Sequence, residues 1–214
     1  MRRYTQAPLK PVGDFAMSNP SAPPSLKTQL RQHLLAQRRA LTPQRRRSLD
    51  ALICGQVLQT LTETTHPNQA VAMFEAHGGE PDLRPVMQAL LDSGREVYLP
   101  VLADQALSFH RFNPACPMHP NRFGIMEPID QPSIEVSDLD WVLMPLVGFA
   151  SDGTRLGMGG GFYDRTLGEV CSDAMGPIKA GVAYAMQQTD MLPSEPWDVP
   201  MDVIISDRGA LWVK

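Results

Sequence analysis

"WVLMPLVGF", Trp141 to Phe149, followed at once by "GTRLGMGGGFYDRTL", Gly153 to Leu167, decides how this chain folds. The first run is apolar throughout and has the length and branching of a buried strand. The second places five glycines between Gly153 and Gly161 and then resumes as an apolar, helix-like run around 161–171. Strand, bare loop and helix in immediate succession form a βα unit. Such a loop is also a natural anion site, because exposed backbone N–H groups converge where a helix begins.

The rest of the chain repeats the alternation. Short apolar runs at 70–74, 96–102, 106–112, 178–185 and 202–206 read as strands, and a helical stretch lies around 82–92. Ahead of them, Ser25 is a candidate N-cap for a helix with Leu26, Leu30 and Leu34 on one stripe and basic residues on the other. Thr42 and Pro43 open a second helix through Leu49, Leu52, Ile53 and Leu61. The pattern predicts one α/β domain over 25–214, a sheet covered by helices. Residues 1–24 contain five prolines and no apolar periodicity, which predicts a flexible arm, with Met17 as an alternative start.

At 214 residues, 43% hydrophobic, 20% charged and with a net charge of −4, the composition is that of an ordinary globular protein. The acidic balance argues against a dedicated nucleic-acid binder, although "RRALTPQRRR" at 38–47 keeps that reading open. No run is long enough for a membrane helix, and Cys54, Cys116 and Cys171 have neither metal-ligand nor disulfide spacing. A cytoplasmic location is expected.

Four features carry candidate chemistry. Arg155 and Asp164 flank the glycine loop: a guanidinium fork suits phosphate, and a carboxylate suits magnesium, which takes one or two carboxylates beside substrate phosphates. The alternative is a solvated arginine and a helix-start aspartate. The loop lacks both the Gly-Lys-Ser/Thr ending of a Walker motif and the last glycine of the dinucleotide fingerprint. Lys27 and Arg31 lie one helical turn apart and could clamp a polyphosphate, or belong to a solvated basic face with Arg38, Arg39 and Arg45 to Arg47. In "FEAHGGEPDLRPVM" a strand ends in a turn bearing Glu75, His77 and Glu80, where open α/β sheets bind ligands. In "PWDVPMDVIIS", Asp198 and Asp202 precede what reads as the last strand, either as cation ligands or as turn formers.

The segment "PLVGFASDGTRLGMGGGFYDRTL" resembles the signature of the 5-formyltetrahydrofolate cyclo-ligase family, also called methenyltetrahydrofolate synthetases. "KTQLR", "AQRRALTP", the glutamate of "GGEPDLRPV", "FGIMEP" and "WDVPMDVIIS" extend the likeness over about residues 25–207. The resemblance implies a single three-layer α/β/α domain with a mostly parallel sheet, of the CoA-transferase-like class, acting as a monomer with ATP as co-substrate and Mg2+. It implies ATP contacts from Lys27, Arg31, Arg155, Gly157, Gly159, Gly160, Gly161, Phe162 and Tyr163. Folate contacts would come from Glu80 and from Met158 through Phe162, and magnesium would be held by Asp164 and Asp198, with Arg155 and Asp164 in the catalytic roles. The partners implied are 5-formyltetrahydrofolate and ATP, not nucleic acid or membrane.

Two positions depart from the family pattern. Ala150 stands where an aspartate usually follows the phenylalanine, with Asp152 two positions later, and Met158 stands where an aromatic or basic residue is common. The departure at Ala150 is the one feature that favours a non-catalytic nucleotide- or folate-binding regulator on the same fold.

Overall fold

The computed structural model describes residues 24–63, 69–168 and 176–213. The expected arm before Pro24, Met17, Cys171 and the end of the helix expected to reach 171 lie outside them.

Helix α1 (Leu26–Arg39) starts where Ser25 predicts: its Oγ accepts the Thr28 N–H at 3.3 Å. Helix α2 (Pro43–Glu63) starts with Thr42 accepting the Arg45 N–H at 3.2 Å. Each cap satisfies a donor that the first helical turn leaves without an intrahelical partner. Strand β1 (Ala70–Ala72) follows, then α3 (Arg84–Asp92) and the hairpin β2 (Glu96–Ala103) and β3 (Ala106–Phe112). Short strands β4 (Met118–Pro120), β5 (Met126–Pro128) and β6 (Ser133–Ile134) precede β7 (Trp141–Pro145). Beyond it lie the ribbon of β8 (Gly148–Phe149) and β9 (Arg155–Leu156), helix α4 (Phe162–Leu167), β10 (Ile178–Val182), β11 (Val203–Ser206) and β12 (Gly209–Trp212).

Eight strands form one sheet in the order β12-β11-β10-β7-β1-β2-β3-β6. The five from β11 to β2 are parallel, and β12, β3 and β6 pair antiparallel at the flanks. The mostly parallel α/β sheet is therefore as expected. Alternation assigns its faces: Val71, Met73, Val97, Leu99 and Leu143 pack with Ile53, Val57 and Leu61 of α2 and Val86 and Leu90 of α3. Ala72, Tyr98, Val142, Met144 and Ile204 face the other way, onto Leu167 of α4, Leu146 and Phe149. Among the described residues that second face is covered by α4 and connecting segments rather than by a full helical layer.

Three details differ from the sequence reading. The run 141–149 is two strands, because the Leu146 and Val147 carbonyls turn away to accept both N–H bonds of the buried Gln187 amide, at 2.7 and 2.9 Å. Strand β11 is not the last: the chain turns at Gly209, with φ of 125°, and adds β12. Leu52, expected on the apolar stripe of α2, is 53% exposed.

The order of the strands positions the site. From β1 the chain moves to β2 on one side, whereas β7 leads to β10 and β11 on the other. Between the carboxyl ends of β1 and β7 the connections diverge and leave a crevice, the position at which open parallel sheets bind ligands.

Candidate active site

Two loops border that crevice. After β1 runs the turn His77–Gly78–Gly79–Glu80, in which Gly78 and Gly79 have φ of 59° and 86°. The turn folds Glu80 back so that its carboxylate accepts the His77 N–H at 3.0 Å. Glu80 is half-buried, not the solvated loop residue its sequence context allows. Burial raises its carboxyl above the ordinary range, opposed by the His77 N–H and the Arg38 charge.

After β7 comes the glycine loop, held from two sides. The Arg31 Nε donates to the Gly157 carbonyl at 2.7 Å, so α1 grips the loop directly. A side chain on Gly159, where φ is 96°, would lie 3.5 Å from the Arg31 guanidinium. Gly161, with φ of 64°, caps α4, and a Cβ on Gly160 would stand 2.7 Å from the Phe162 ring. The glycines thus meet a close-approach requirement as well as a turn requirement.

The carboxylates converge on one stretch of backbone. Asp164, in the first turn of α4, is ion-paired with Arg155 and accepts the Val199 N–H at 3.1 Å. Arg155 also donates from Nε to the Val199 carbonyl at 3.2 Å. Its side chain is 8% exposed, so it is no solvated surface charge. The residue before Val199 is Asp198, which pairs with Lys27 Nζ at 2.9 Å and accepts the Glu195 N–H at 2.9 Å. Burial works against ionisation of Asp198, but Lys27, the Glu195 N–H and Arg155 outweigh it and hold the carboxyl below its usual range. Asp164 therefore bonds the backbone of the residue that follows Asp198, while the Asp198 carboxylate turns to Lys27 and the Glu195 N–H.

Tyr163 packs against the second core face, and burial pushes its hydroxyl up, with Glu80 adding to the rise and Arg155 opposing it. Phe162 meets Phe123 edge-on, ring centres 6.0 Å apart, with the Arg122 and Arg165 guanidinium groups 5.8 and 5.4 Å from its ring. Met158 is 65% exposed at the loop's outer edge.

The fold thus brings together Lys27, Arg31, Glu80, the glycine loop, Arg155, Tyr163, Asp164 and Asp198. It leaves Asp202 out, since that residue pairs with Lys179 at 2.8 Å and caps a neighbouring strand. Asp152 does not replace the carboxylate absent at Ala150: it is exposed and accepts the Thr154 N–H in a local turn, while Ala150 is buried. Two contributors were not read as site residues. Phe123 lies in the quoted "FGIMEP", but its partner Phe162 is on α4, distant in the chain from the β4–β5 turn that carries Phe123. Arg38 belongs in sequence to a basic helix face that reads as solvated, yet it is 1% exposed. An arginine on an amphipathic helix gives no local sign of burial.

Fold and site together define an α/β protein that can hold an anionic ligand against paired carboxylates at a topological switch point. The chain belongs to the 5-formyltetrahydrofolate cyclo-ligase family, whose profile matches residues 24–207. It is 38% identical over 192 residues to the 5-formyltetrahydrofolate cyclo-ligase of Haemophilus influenzae, covering 84% of this chain and 100% of that protein. The Escherichia coli K12 protein of the same name is 37% identical over 177 residues, 79% of this chain and 93% of its own length. Among solved structures, the 5,10-methenyltetrahydrofolate synthetase of Aquifex aeolicus superposes with a TM-score of 0.76 at 33% identity, covering 89% of this chain and 94% of that one. That of Mycoplasma pneumoniae gives 0.70 at 27% identity, covering 86% and 99%. No described helix is long and apolar enough to cross a membrane.

Proposed function

We propose that the protein converts 5-formyltetrahydrofolate and ATP to 5,10-methenyltetrahydrofolate, ADP and phosphate, forming a carbon–nitrogen bond. The observation that carries the reading is that Arg31 bonds into the glycine loop at Gly157 and Arg155 bonds Val199 and Asp164 beside it, while Glu80, in the loop after the neighbouring strand β1, acts on Tyr163 at the loop's far end. One side suits a polyphosphate and the other a neutral heterocycle bearing N–H groups.

In this reading Lys27, Arg31, Arg155 and the N–H groups of Gly157 to Tyr163 hold the ATP phosphates. Glu80 accepts N–H bonds from the pterin, with Met158 to Phe162 bordering both substrates. The formyl oxygen attacks the γ-phosphorus in line and ADP leaves. The resulting phosphorylated formyl carbon is attacked by the neighbouring folate nitrogen, which loses its proton, and phosphate departs as the ring closes. No protein nucleophile is required. The residues act by alignment and by neutralising charge on the transferring oxygens, the principal means of catalysing phosphoryl transfer.

Two carboxylates, one on α4 and one in the segment that α4 bonds, suit magnesium, which needs few protein oxygens when phosphates and water supply the rest. Asp164 and Asp198 would hold it, and it would supply charge neutralisation at the phosphates. Lys27 and Arg155 pair with those carboxylates in the structure, and with the cation bound their charges would be available to the phosphates.

The test is methenyltetrahydrofolate absorbance with each of 5-formyltetrahydrofolate, ATP and Mg2+ omitted in turn. Product is expected only when all three are present. Tight binding of both substrates without product would instead establish the non-catalytic reading that Ala150 favours.

A further inference from the structure

Arg38 is the least exposed charged side chain of the described residues and touches neither solvent nor a carboxylate. Its Nη1 donates to the Leu146 carbonyl at 3.3 Å, just past the end of β7, and its Nη2 to the Gly78 carbonyl at 3.1 Å, just past the end of β1. One guanidinium thus spans the two loops that border the crevice. Its own backbone carbonyl accepts from Arg46 at 3.3 Å, and a Cβ on Gly79 would meet the Arg46 guanidinium at 2.9 Å. The turn carrying Glu80 is therefore held between two arginines. The Arg38 Nε is buried without a hydrogen-bond partner, and desolvation lowers the arginine's pKa from its ordinary value. Such burial is unfavourable and needs an electrostatic return.

Glu80 supplies it. The two charges stabilise each other through space, while the guanidinium donors go to the two carbonyls and the carboxylate takes only the His77 N–H. The acceptor positions of Glu80 not used by His77 are thereby left open to a ligand, which a direct ion pair would have consumed. We propose that Arg38 is a positioning residue for the substrate carboxylate Glu80: by bonding the Gly78 and Leu146 carbonyls it fixes the turn that carries Glu80 and sets a cation behind the carboxylate without occupying it. The inference rests on the proposed role of Glu80 in holding the folate.

The groups that face Glu80 are Arg38 from α1, the His77 N–H from its own turn and Tyr163 from α4. Arg46, Asp50, Glu75, Asp82 and Arg84 line, together with Glu80 itself, a cleft of about 420 Å3. Of these, Arg38 is the cation that acts on Glu80 from within. Removing it raises the Glu80 carboxyl further, so folate binding weakens as pH falls and recovers as pH rises.

The experiment compares Arg38→Met, Arg38→Lys, Glu80→Gln and the Arg38→Met/Glu80→Gln double variant, each by KM for both substrates and by kcat/KM against pH. For Arg38→Met, the KM for 5-formyltetrahydrofolate is expected to rise roughly 10- to 100-fold, and the acid limb of kcat/KM to move to higher pH. The KM for ATP should stay within about twofold, and Arg38→Lys should shift the limb in the same direction by less. In the Glu80→Gln background, Arg38→Met should add less than about twofold, because the two act as one unit. Proportional increases in both KM values, an unmoved pH profile and multiplying effects would overturn the proposal and reduce Arg38 to a structural residue. If Arg38→Met does not fold, the pH profile of Arg38→Lys decides alone. An unchanged folate KM in Glu80→Gln would overturn the role of Glu80 itself, and this inference with it.

Discussion

Burial raises the Glu80 carboxyl while the His77 N–H and Arg38 lower it, and the balance remains on the raised side. A raised carboxyl favours folding below its unfolded value of about 4.3, and that contribution is lost as pH rises through the folded value. At neutral pH the residue is therefore a burden on the fold. Glu80→Gln keeps the shape and removes the charge, so its urea midpoint should exceed the parent's at pH 8 and converge with it near about pH 4. The same variant should raise the KM for 5-formyltetrahydrofolate roughly 10- to 100-fold, the value of a charge-assisted hydrogen bond. A midpoint unchanged between the two proteins at pH 8 would show that Glu80 is better solvated than its surroundings imply. Asp164 is the contrasting residue, paired with Arg155 and with the Val199 N–H. Asparagine there can still accept from Val199 but offers no charge. Asp164→Asn should lower kcat about 100-fold, with a melting temperature within a few degrees of the parent's. Parent-like turnover would remove Asp164 from the proposed metal site.

At the scale of elements, the turn from Ala150 to Gly153 ties the glycine loop to the Asp198–Val199 segment. Gly153 has φ of 85°, its N–H donates to the Ala150 carbonyl at 3.2 Å, and its carbonyl accepts the Met201 N–H at 3.0 Å. A Cβ there would meet the Met201 carbonyl oxygen at 2.7 Å, and backbone cannot swing away as a side-chain tip can. Gly153→Ala should cost about 1–3 kcal/mol and push Val199 off Asp164 and Arg155, raising the KM for ATP more than that for folate. Equal stability with an unaltered ATP KM would show that the turn does not set the metal side of the crevice. Elements built on local signals were legible in the sequence: the caps at Ser25 and Thr42, and β3, found residue for residue at 106–112. What escaped depends on partners distant in the chain. Nothing within 141–149 announces that Gln187 will draw two carbonyls out of a strand, and β8 and β9 are two residues each, too short for periodicity to mark. The site divides the same way. Arg155, Asp164 and the glycines stand out because charge flanks a bare loop, whereas Arg38 becomes visible only once β1 and β7 are neighbours.

At the scale of the whole molecule, a chain with a net charge of −4 gathers Lys27, Arg31, Arg38 and Arg155 around one end of its sheet. Two of these cations are matched by Asp198 and Asp164, so the crevice is close to neutral where nucleotide would enter. ATP alone would bring further negative charge beside the Asp164 and Asp198 carboxylates. In the proposed function, ATP with magnesium would bring the cation those carboxylates can take and would leave Lys27 and Arg155 to the phosphates. The two ligands should therefore stabilise the fold together far more than separately. A ligand that binds only the folded state at about 100 times its Kd adds about 2.7 kcal/mol, which for a domain of this size is about 5–10 °C in melting temperature. The parent protein should show that shift with ATP and Mg2+, and little with either alone. In Asp164→Asn the combined shift should shrink toward that of ATP alone. Lys27→Ala should weaken the shift while leaving any stabilisation by 5-formyltetrahydrofolate intact, because Lys27 reaches Asp198 and not the Glu80 side of the crevice. Equal shifts with and without Mg2+ in the parent would mean that the paired carboxylates stay closed on their arginine and lysine, and that the phosphates bind elsewhere on the glycine loop.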